Sequence, residues 1–420
     1  MPKKRSVIIG KFVRRVARIH GGGSALPGLV IEKIDKNFVS DCLAQLPKGV
    51  VVISGTNGKT TTTKIVVELL ESQGLKVFTN RTGSNFVRGV IAALLESIDH
   101  KGNLNADIAV LELDEAHAVR FIDVITPKYS LLLNVMRDQL DRFGEIDYTA
   151  ELLSKLANKT SDTVVINRED KRLVSIQTNA NINYFGLSDN LISCFPEDDD
   201  LLSAGSTSDQ QTKPETAVRL DKLLGNQVTF TIKNDSYTTN MSLKGIYNFY
   251  NATAAIALVK AILPESNNSE LTTSLSTIKS AFGRGESLNI NGVELELFLV
   301  KNPSGFQLAL NSFDPNGFSN MIAINDNYAD GRDMSWLWNV DFSTFKKDGI
   351  AQVSGVRAND MALRLKYDDI TVGDIDEELE SATDKFLEKS DLPKRIFCSY
   401  TTMLRIRKHL SKITKVERVL

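Results

Sequence analysis

The chain alternates short apolar runs with amphipathic stretches. Residues 49–53 (GVVVI) have the composition of a buried strand. Residues 64–72 then place Ile65, Val66, Leu69 and Leu70 along one side of a helix. Residues 107–113, 129–135 and 162–167 repeat the strand pattern. Strands separated by helical periods predict βαβ units around a parallel sheet. The pattern weakens over residues 186–227, which are polar, acidic at 197–200 and rich in Ser, Thr and Gln at 203–212. They read as a loop or an ordered insertion edge. Residues 228–232 and 237–241 flank Asn234-Asp235 as a hairpin would. Helical periods return at 248–262 and 270–282, and the chain changes domain around 283–287. Beyond that point, strands at 293–300, 320–325 and 395–398 alternate with helices near 306–310 and at 375–389 and 401–410.

The expected fold class is therefore α/β. A central domain with a parallel-rich sheet spans 45–288 and carries a variable insertion at 186–240. A smaller α/β domain spans 289–420, and residues 1–44 form a lead-in. In that lead-in, residues 7–19 set Val and Ile between basic residues. The segment reads either as a helix packed on the domain behind it or as a basic helix near an anionic membrane. Residues 20–30 are Gly-rich and contain Pro27, the signature of a loop.

Composition narrows the function classes. Of 420 residues, 42% are apolar and 24% charged, as in a folded globular chain. Fifty basic residues against 52 acidic ones give no support for a nucleic-acid partner held by bulk charge. Cys42, Cys194 and Cys398 are far apart and odd in number, which excludes a disulfide framework. They read as reduced thiols in a cytosolic protein. No CxxC or HxxxH spacing exists to hold zinc. No stretch approaches the roughly 18 apolar residues needed to span a bilayer. The apolar residues 6–10 are too short for a signal-peptide core.

The sharpest motif is Ser54-Gly55-Thr56-Asn57-Gly58-Lys59-Thr60-Thr61-Thr62, which follows a strand and opens a helix. Gly55 and Gly58 let backbone N–H groups approach phosphate oxygens, and the helix N-terminus adds partial positive charge. Lys59 can reach terminal phosphates, and the Thr60 hydroxyl can ligate Mg²⁺. A strict phosphate-loop pattern would place a glycine at position 53, where Ile53 stands, so the loop is a shortened variant. Glu112, in Leu111-Glu112-Leu113-Asp114-Glu115 at a strand end, is the best candidate for a second Mg²⁺ ligand. The alternative is an exposed acidic strand end. The segment Asn134-Val135-Met136-Arg137-Asp138-Gln139-Leu140-Asp141 also follows a strand. On its own it fits a helix cap and a solvated face equally well.

These pieces, in this order, resemble the Mur ligase family. Residues 55–61 match its shortened ATP loop, and Glu112 its metal-binding glutamate. Asn134 with Asp138-Gln139-Leu140-Asp141 resembles the N-x-x-x-D-H-L-D segment. Gly245-Ile246-Tyr247-Asn248-Phe249-Tyr250-Asn251 resembles the G-x-H-N-x-x-N helix start. Gly283-Arg284-Gly285-Glu286 resembles the segment that closes the central domain. Gln139 and Tyr247 stand where amino-acid-adding relatives have His, and about 45 residues leave no room for a UDP-binding first domain. Lys301-Asn302-Pro303-Ser304-Gly305-Phe306 and residues 324–338 (INDNYADGRDMSWLW) resemble one branch of the family, the MurT-type subunits of lipid II isoglutaminyl synthases. Residues 25–28 (ALPG) and Asp114-Glu115-Ala116 extend that likeness.

The resemblance implies ATP on Gly55, Thr56, Asn57, Gly58, Lys59, Thr60 and Thr61, with Asn248 and Asn251 near the base. It implies Mg²⁺ on Thr60 and Glu112, and Lys59 and Arg284 offsetting the charge of two meeting anions. It implies amidation of the D-glutamate α-carboxylate of lipid II through an acyl phosphate, with ammonia from a GatD-like glutaminase. Asp333, or failing that Asp330, would complete the partner's Cys–His pair. The zinc-ribbon cysteines of many such subunits are missing from 186–240, so zinc is not expected. The implied location is cytoplasmic, with a peripheral position at the inner face of the membrane as a variant. Two other readings stay open: an amino-acid-adding or folylpolyglutamate synthase-like ligase, and a non-catalytic scaffold for a glutaminase.

Overall fold

The computed structural model describes residues 1–19, 25–80, 87–136, 146–195, 213–279 and 284–416. Nine strands build the first sheet: β1 (Val50–Ser54), β2 (Val77–Thr79), β3 (Ile108–Glu112), β4 (Tyr129–Leu132), β5 (Thr163–Asn167), β6 (Asn181–Leu187), β7 (Val218–Leu224), β8 (Gln227–Ile232) and β9 (Asp235–Asn240). Their order is β2-β3-β1-β4-β5-β6-β7-β8-β9. All pairs from β2 to β7 are parallel, and β7, β8 and β9 are antiparallel. The central strands β1, β3, β4 and β5 are buried along their whole length, the expected state for parallel strands covered on both faces.

One face packs against helices Lys59–Ser72 and Ile246–Ile262 through Ile65, Leu69, Ala254 and Leu258. The other packs against helices that include Lys4–Ile19, Phe38–Leu43, Val87–Ser97 and Ile146–Lys159. Val7, Phe38 and Leu43 share that core with Val50 and Val52. The described parts of the expected lead-in, residues 1–19 and 25–44, therefore pack as a layer of the first domain.

Six strands form the second sheet: β10 (Arg284–Ile290), β11 (Val293–Leu299), β12 (Ser319–Ala323), β13 (Ile350–Ser354), β14 (Val372–Asp376) and β15 (Lys394–Cys398). Their order is β10-β11-β15-β12-β13-β14, and only β10–β11 is antiparallel. Because β10 hydrogen-bonds to β11, the second sheet begins at Arg284, a few residues before the expected boundary at 288/289.

Four other expectations need correction. Residues 25–34 form a helix, Ala25–Ile34, where a loop was expected. Pro27 sits in its first turn, where the absent N–H has no helical partner to lose. Gly28 is there for closeness: a Cβ would fall 2.3 Å from the Arg88 carbonyl oxygen, so only glycine lets this helix meet Val87–Ser97. Within 186–227, β7 extends the sheet. It buries Val218 and Leu220 with a period of two, a pattern obscured in sequence by the charged residues between them. Residues 375–389 divide into the end of β14 and helix Leu379–Glu388, because the acidic edge strand exposes Asp374. The helix expected at 270–282 is Asn268–Ser274, capped by Asn267; residues 280–282 lie outside the described residues.

Candidate functional site

β1 delivers the loop 55–58 to the C-terminal edge of the first sheet, and Gly58 caps helix Lys59–Ser72. Gly58 has φ +88°, and a Cβ there would lie 2.4 Å from Asn251 Oδ1. Both conformation and crowding demand glycine. The loop is pinned from β4's exit. Asn134 Oδ1 accepts the Asn57 N–H at 2.8 Å, and the Asn134 amide donates to the Asn57 carbonyl at 3.1 Å. The Thr56 N–H donates to the Asn134 carbonyl at 3.0 Å. Asn134 is thus a structural brace of the loop.

Lys59 is 8% exposed. Its Nζ donates to the carbonyls of Gly55 and Thr56 and lies 3.7 Å from Glu115 Oε2. The ammonium is folded back over its own loop beside a buried carboxylate. Thr60 Oγ1 donates to Glu112 Oε1 at 2.8 Å. Glu112 is held by its backbone: its N–H donates to Asn80 Oδ1 at 3.0 Å, and the Asn80 amide donates to its carbonyl at 2.8 Å. The pair Thr60–Glu112 therefore exists as geometry, with a hydroxyl and a carboxylate side by side. Both are hard oxygen donors of the kind Mg²⁺ takes. Thr61 Oγ1 is buried with no hydrogen-bond partner among the described residues.

The second domain reaches the same loop. Asn302 caps helix Pro303–Ser312 by accepting the Gly305 N–H at 2.8 Å. Its amide also donates to Asn57 Oδ1 at 3.1 Å, and the Asn57 amide donates back at 3.3 Å. Lys301 Nζ donates to the Thr56 carbonyl at 3.1 Å. A cleft opens between the domains here, walled by Gly58, Asn251 and Tyr250 on one side and Lys301, Gly305 and Leu308 on the other. Tyr250 stands 5.1 Å from both Phe185 and Phe195, and its hydroxyl donates to Asn167 Oδ1.

Asp170, also in the cleft wall, accepts the N–H groups of Val135, Arg172 and Leu173. Burial outweighs those bonds and pushes its carboxyl up to about 6. For its neighbour Glu169 burial pulls the same way, but the Leu187 N–H, Lys213 and Arg168 prevail and hold the carboxyl below its ordinary range.

Of the residues singled out from sequence, Gly55, Thr56, Asn57, Gly58, Lys59, Thr60 and Glu112 converge on one loop, with Asn251 against Gly58. Asn248 is placed differently. It is buried, donates to the Lys244 carbonyl at 2.6 Å, and leaves Oδ1 without a partner among the described residues. Arg284 opens β10, and its side chain lies outside what is described. Arg137, Asp138, Gln139, Leu140 and Asp141 lie outside the described residues, as does Gly283.

Asp330 and Asp333 part company. Asp330 is buried and accepts the Thr401 N–H at 2.7 Å and the Thr401 hydroxyl at 2.5 Å, which fastens its loop to helix Tyr400–Leu410. Asp333 is exposed; its bonds to Ser335 hold its carboxyl below the ordinary range. Sequence reading missed Glu115 as the neighbour of Lys59, and missed the reach of Lys301 and Asn302. The dipeptide Asn302-Pro303 was a readable sign of a helix start, but nothing local indicated which loop it would touch.

Cys42 and Cys398 are buried, and Cys194 is partly exposed one residue before Phe195. Burial, helped by Asp41, pushes the Cys42 thiol up to about 12. Burial and Asp330 raise that of Cys398 further.

The Mur ligase middle domain model matches residues 53–259, and the MurT ligase C-terminal model matches residues 299–403. The lipid II isoglutaminyl synthase (glutamine-hydrolyzing) subunit MurT of Streptococcus pneumoniae is 33% identical, over 93% of each chain. Its counterpart from Staphylococcus aureus is 26% identical over 91% of this chain and 92% of that one. Among solved structures, a pseudomurein peptide ligase type C from Methanothermus fervidus superposes with TM-score 0.67 at 18% identity, covering 87% of this chain and 79% of that one. MurF ligase from Thermotoga maritima, in complex with ADP, gives 0.67 at 16% identity over 90% and 83%. The fold is that of Mur ligases, and with a full-length relative at this identity the chain belongs to the MurT family, a ligase family of that fold.

Proposed function

We propose that this chain is the ATP-dependent ligase subunit of a glutamine-hydrolysing amidotransferase that converts the D-glutamate of lipid II to D-isoglutamine. The observation that carries the reading is 33% identity over 93% of each chain to a lipid II isoglutaminyl synthase (glutamine-hydrolyzing) subunit MurT. The loop geometry supports it. Thr60 and Glu112 would hold Mg²⁺, which when bound supplies positive charge at the phosphates. Gly55, Gly58 and the first turn of helix Lys59–Ser72 present backbone N–H groups to the same phosphates. Tyr250 and Phe195 offer an apolar wall for a base. Arg172 and Lys301, at the cleft, add cations where two anions must meet.

The α-carboxylate oxygen attacks the γ-phosphorus, the bond to the β-phosphate oxygen breaks, and acyl phosphate and ADP result. Ammonia then adds to the acyl carbon, inorganic phosphate leaves with the bonding pair, and a proton is lost to give the amide. Cys42 and Cys398 are buried with raised thiols, and Cys194 sits in no recognisable nucleophile motif. The family resemblance makes a separate GatD-like subunit the source of ammonia.

Asp333 is the residue assigned to that subunit's Cys–His pair. It is exposed and ionised, in a loop that also exposes Tyr328, whereas Asp330 is committed to Thr401. In the reconstituted pair, Asp333→Asn is expected to reduce glutamine-driven amidation at least 100-fold while leaving ammonia-driven amidation within about twofold. Equal loss with both nitrogen donors would refute the assignment.

A further inference from the structure

The helix Lys4–Ile19 divides its residues between two faces. Ser6, Val7, Gly10 and Ala17 are buried against the first domain. Lys11 donates to the carbonyls of Leu95 and Ile98, at 3.1 and 2.7 Å, and Arg14 pairs with Glu96. These contacts fix which side faces out. On that outer side Ile8 is 64% exposed and Phe12 66%, with Ile9 and Val16 beside them. Ile8, Phe12 and Val16 follow at steps of four, one continuous apolar ridge. Lys4, Arg5 and Arg15 are exposed on the same side. At about 100° per residue, these seven side chains occupy roughly 140° of arc.

A helix so firmly docked on one face has no internal reason to display Phe12 and two isoleucines on the other. Charge identifies what the ridge meets. The first 31 residues carry seven Lys or Arg and no acid, Glu32 being the first acidic residue. The other 43 basic residues are set against all 52 acidic ones, so the rest of the chain is net negative. A second copy of the chain would offer this ridge mostly a surface of like charge at the helix or a polar acidic one elsewhere. An anionic bilayer offers both partners at once: headgroups for the cations and acyl chains for the ridge. Among the described residues no helix is long and apolar enough to cross a membrane, so contact would be at the surface.

We infer that the outer face of helix Lys4–Ile19 is a membrane-docking surface. Ile8, Ile9, Phe12 and Val16 enter the interface, and Lys4, Arg5 and Arg15 lie against anionic headgroups. The inference extends the lipid-linked substrate proposed above to a place of contact. Its test needs no precursor lipid, so either proposal can fail alone.

The full chain is mixed with vesicles of phosphatidylglycerol and phosphatidylcholine, or of phosphatidylcholine alone, and assayed by flotation. The wild type should float with the anionic vesicles and at least tenfold less with the neutral ones. The double variant Ile8→Glu/Phe12→Glu should lose binding at least tenfold, and Arg5→Gln/Arg15→Gln should lose it several-fold. Leu363→Glu, at an exposed apolar position in the second domain, should bind as wild type. Phe12→Trp should shift its added emission to the blue on anionic vesicles, a readout that requires no loss of binding. Failure of the wild type to bind anionic vesicles overturns the inference, as does unchanged binding by the Ile8/Phe12 variant. So does a concentration-dependent mass of the lipid-free wild type that the Ile8/Phe12 variant abolishes, which would make the ridge an interface between copies.

Discussion

Lys59→Ala is expected to lower ATP-dependent amidation by about 10³-fold, most of it in kcat. A single preorganised positive donor at a developing anion is worth on the order of 10²–10³ in rate. Here the same side chain also offsets repulsion between two anions before reaction. In the structure the ammonium is stored against the carbonyls of Gly55 and Thr56 and near Glu115. The removed group is therefore a cation positioned on the loop itself. Lys59→Met, which keeps the buried alkyl stem, should lose activity equally while melting closer to wild type. Steady-state kinetics with ATP and ammonia check this. Unchanged turnover in either variant would remove the phosphate-loop assignment.

The largest stability effect is expected in the second domain. Arg395 and Glu296, on neighbouring strands β15 and β11, are each about 4% exposed. Arg395 Nε and Nη2 both donate to Glu296 Oε2, at 3.0 and 2.7 Å. Its Nη1 donates to the Asp314 carbonyl at 2.8 Å, and the guanidinium lies 3.8 Å from the centre of the Phe318 ring. Lys244, from the first domain, reaches Glu296 Oε1 at 3.3 Å. Arg395→Ala leaves a buried carboxylate with only a half-exposed lysine to answer it. Breaking such a pair costs about 3–5 kcal/mol. The thermal transition should fall by on the order of 10 °C. Arg395→Met/Glu296→Leu should recover much of the loss, because it removes the stranded charge as well as the bond. Calorimetry on the three proteins decides it; a single variant that melts with wild type would sink the argument.

The sequence made the first sheet readable wherever burial was symmetrical. β1, β3, β4 and β5 are covered on both faces, so composition alone marked them. Edges were harder. β7 and β14 alternate or expose charge, and their polar residues concealed them as loop and helix. Ala25–Ile34 was hidden because Gly and Pro signal turns by their intrinsic freedom, whereas here Gly28 answers a helix crossing 60 residues away in sequence. At the site, residues on one motif were legible and their braces were not. The pairing of Thr60 with Glu112 could be anticipated from each residue's position at a strand or helix end. That Asn134 and Asn302 would grip Asn57 from two sides could not, since neither contact has a local spacing to betray it.

The burial of two of the three thiols has a practical side. At neutral pH a maleimide reacts with thiolate, and neither Cys42 nor Cys398 can supply it while folded. Labelling chemistry is thereby confined to Cys194, adjacent to the aromatic wall of the cleft. Without any cysteine being engineered in or out, a fluorophore attached there would sit where it can test whether added nucleotide occupies that cleft.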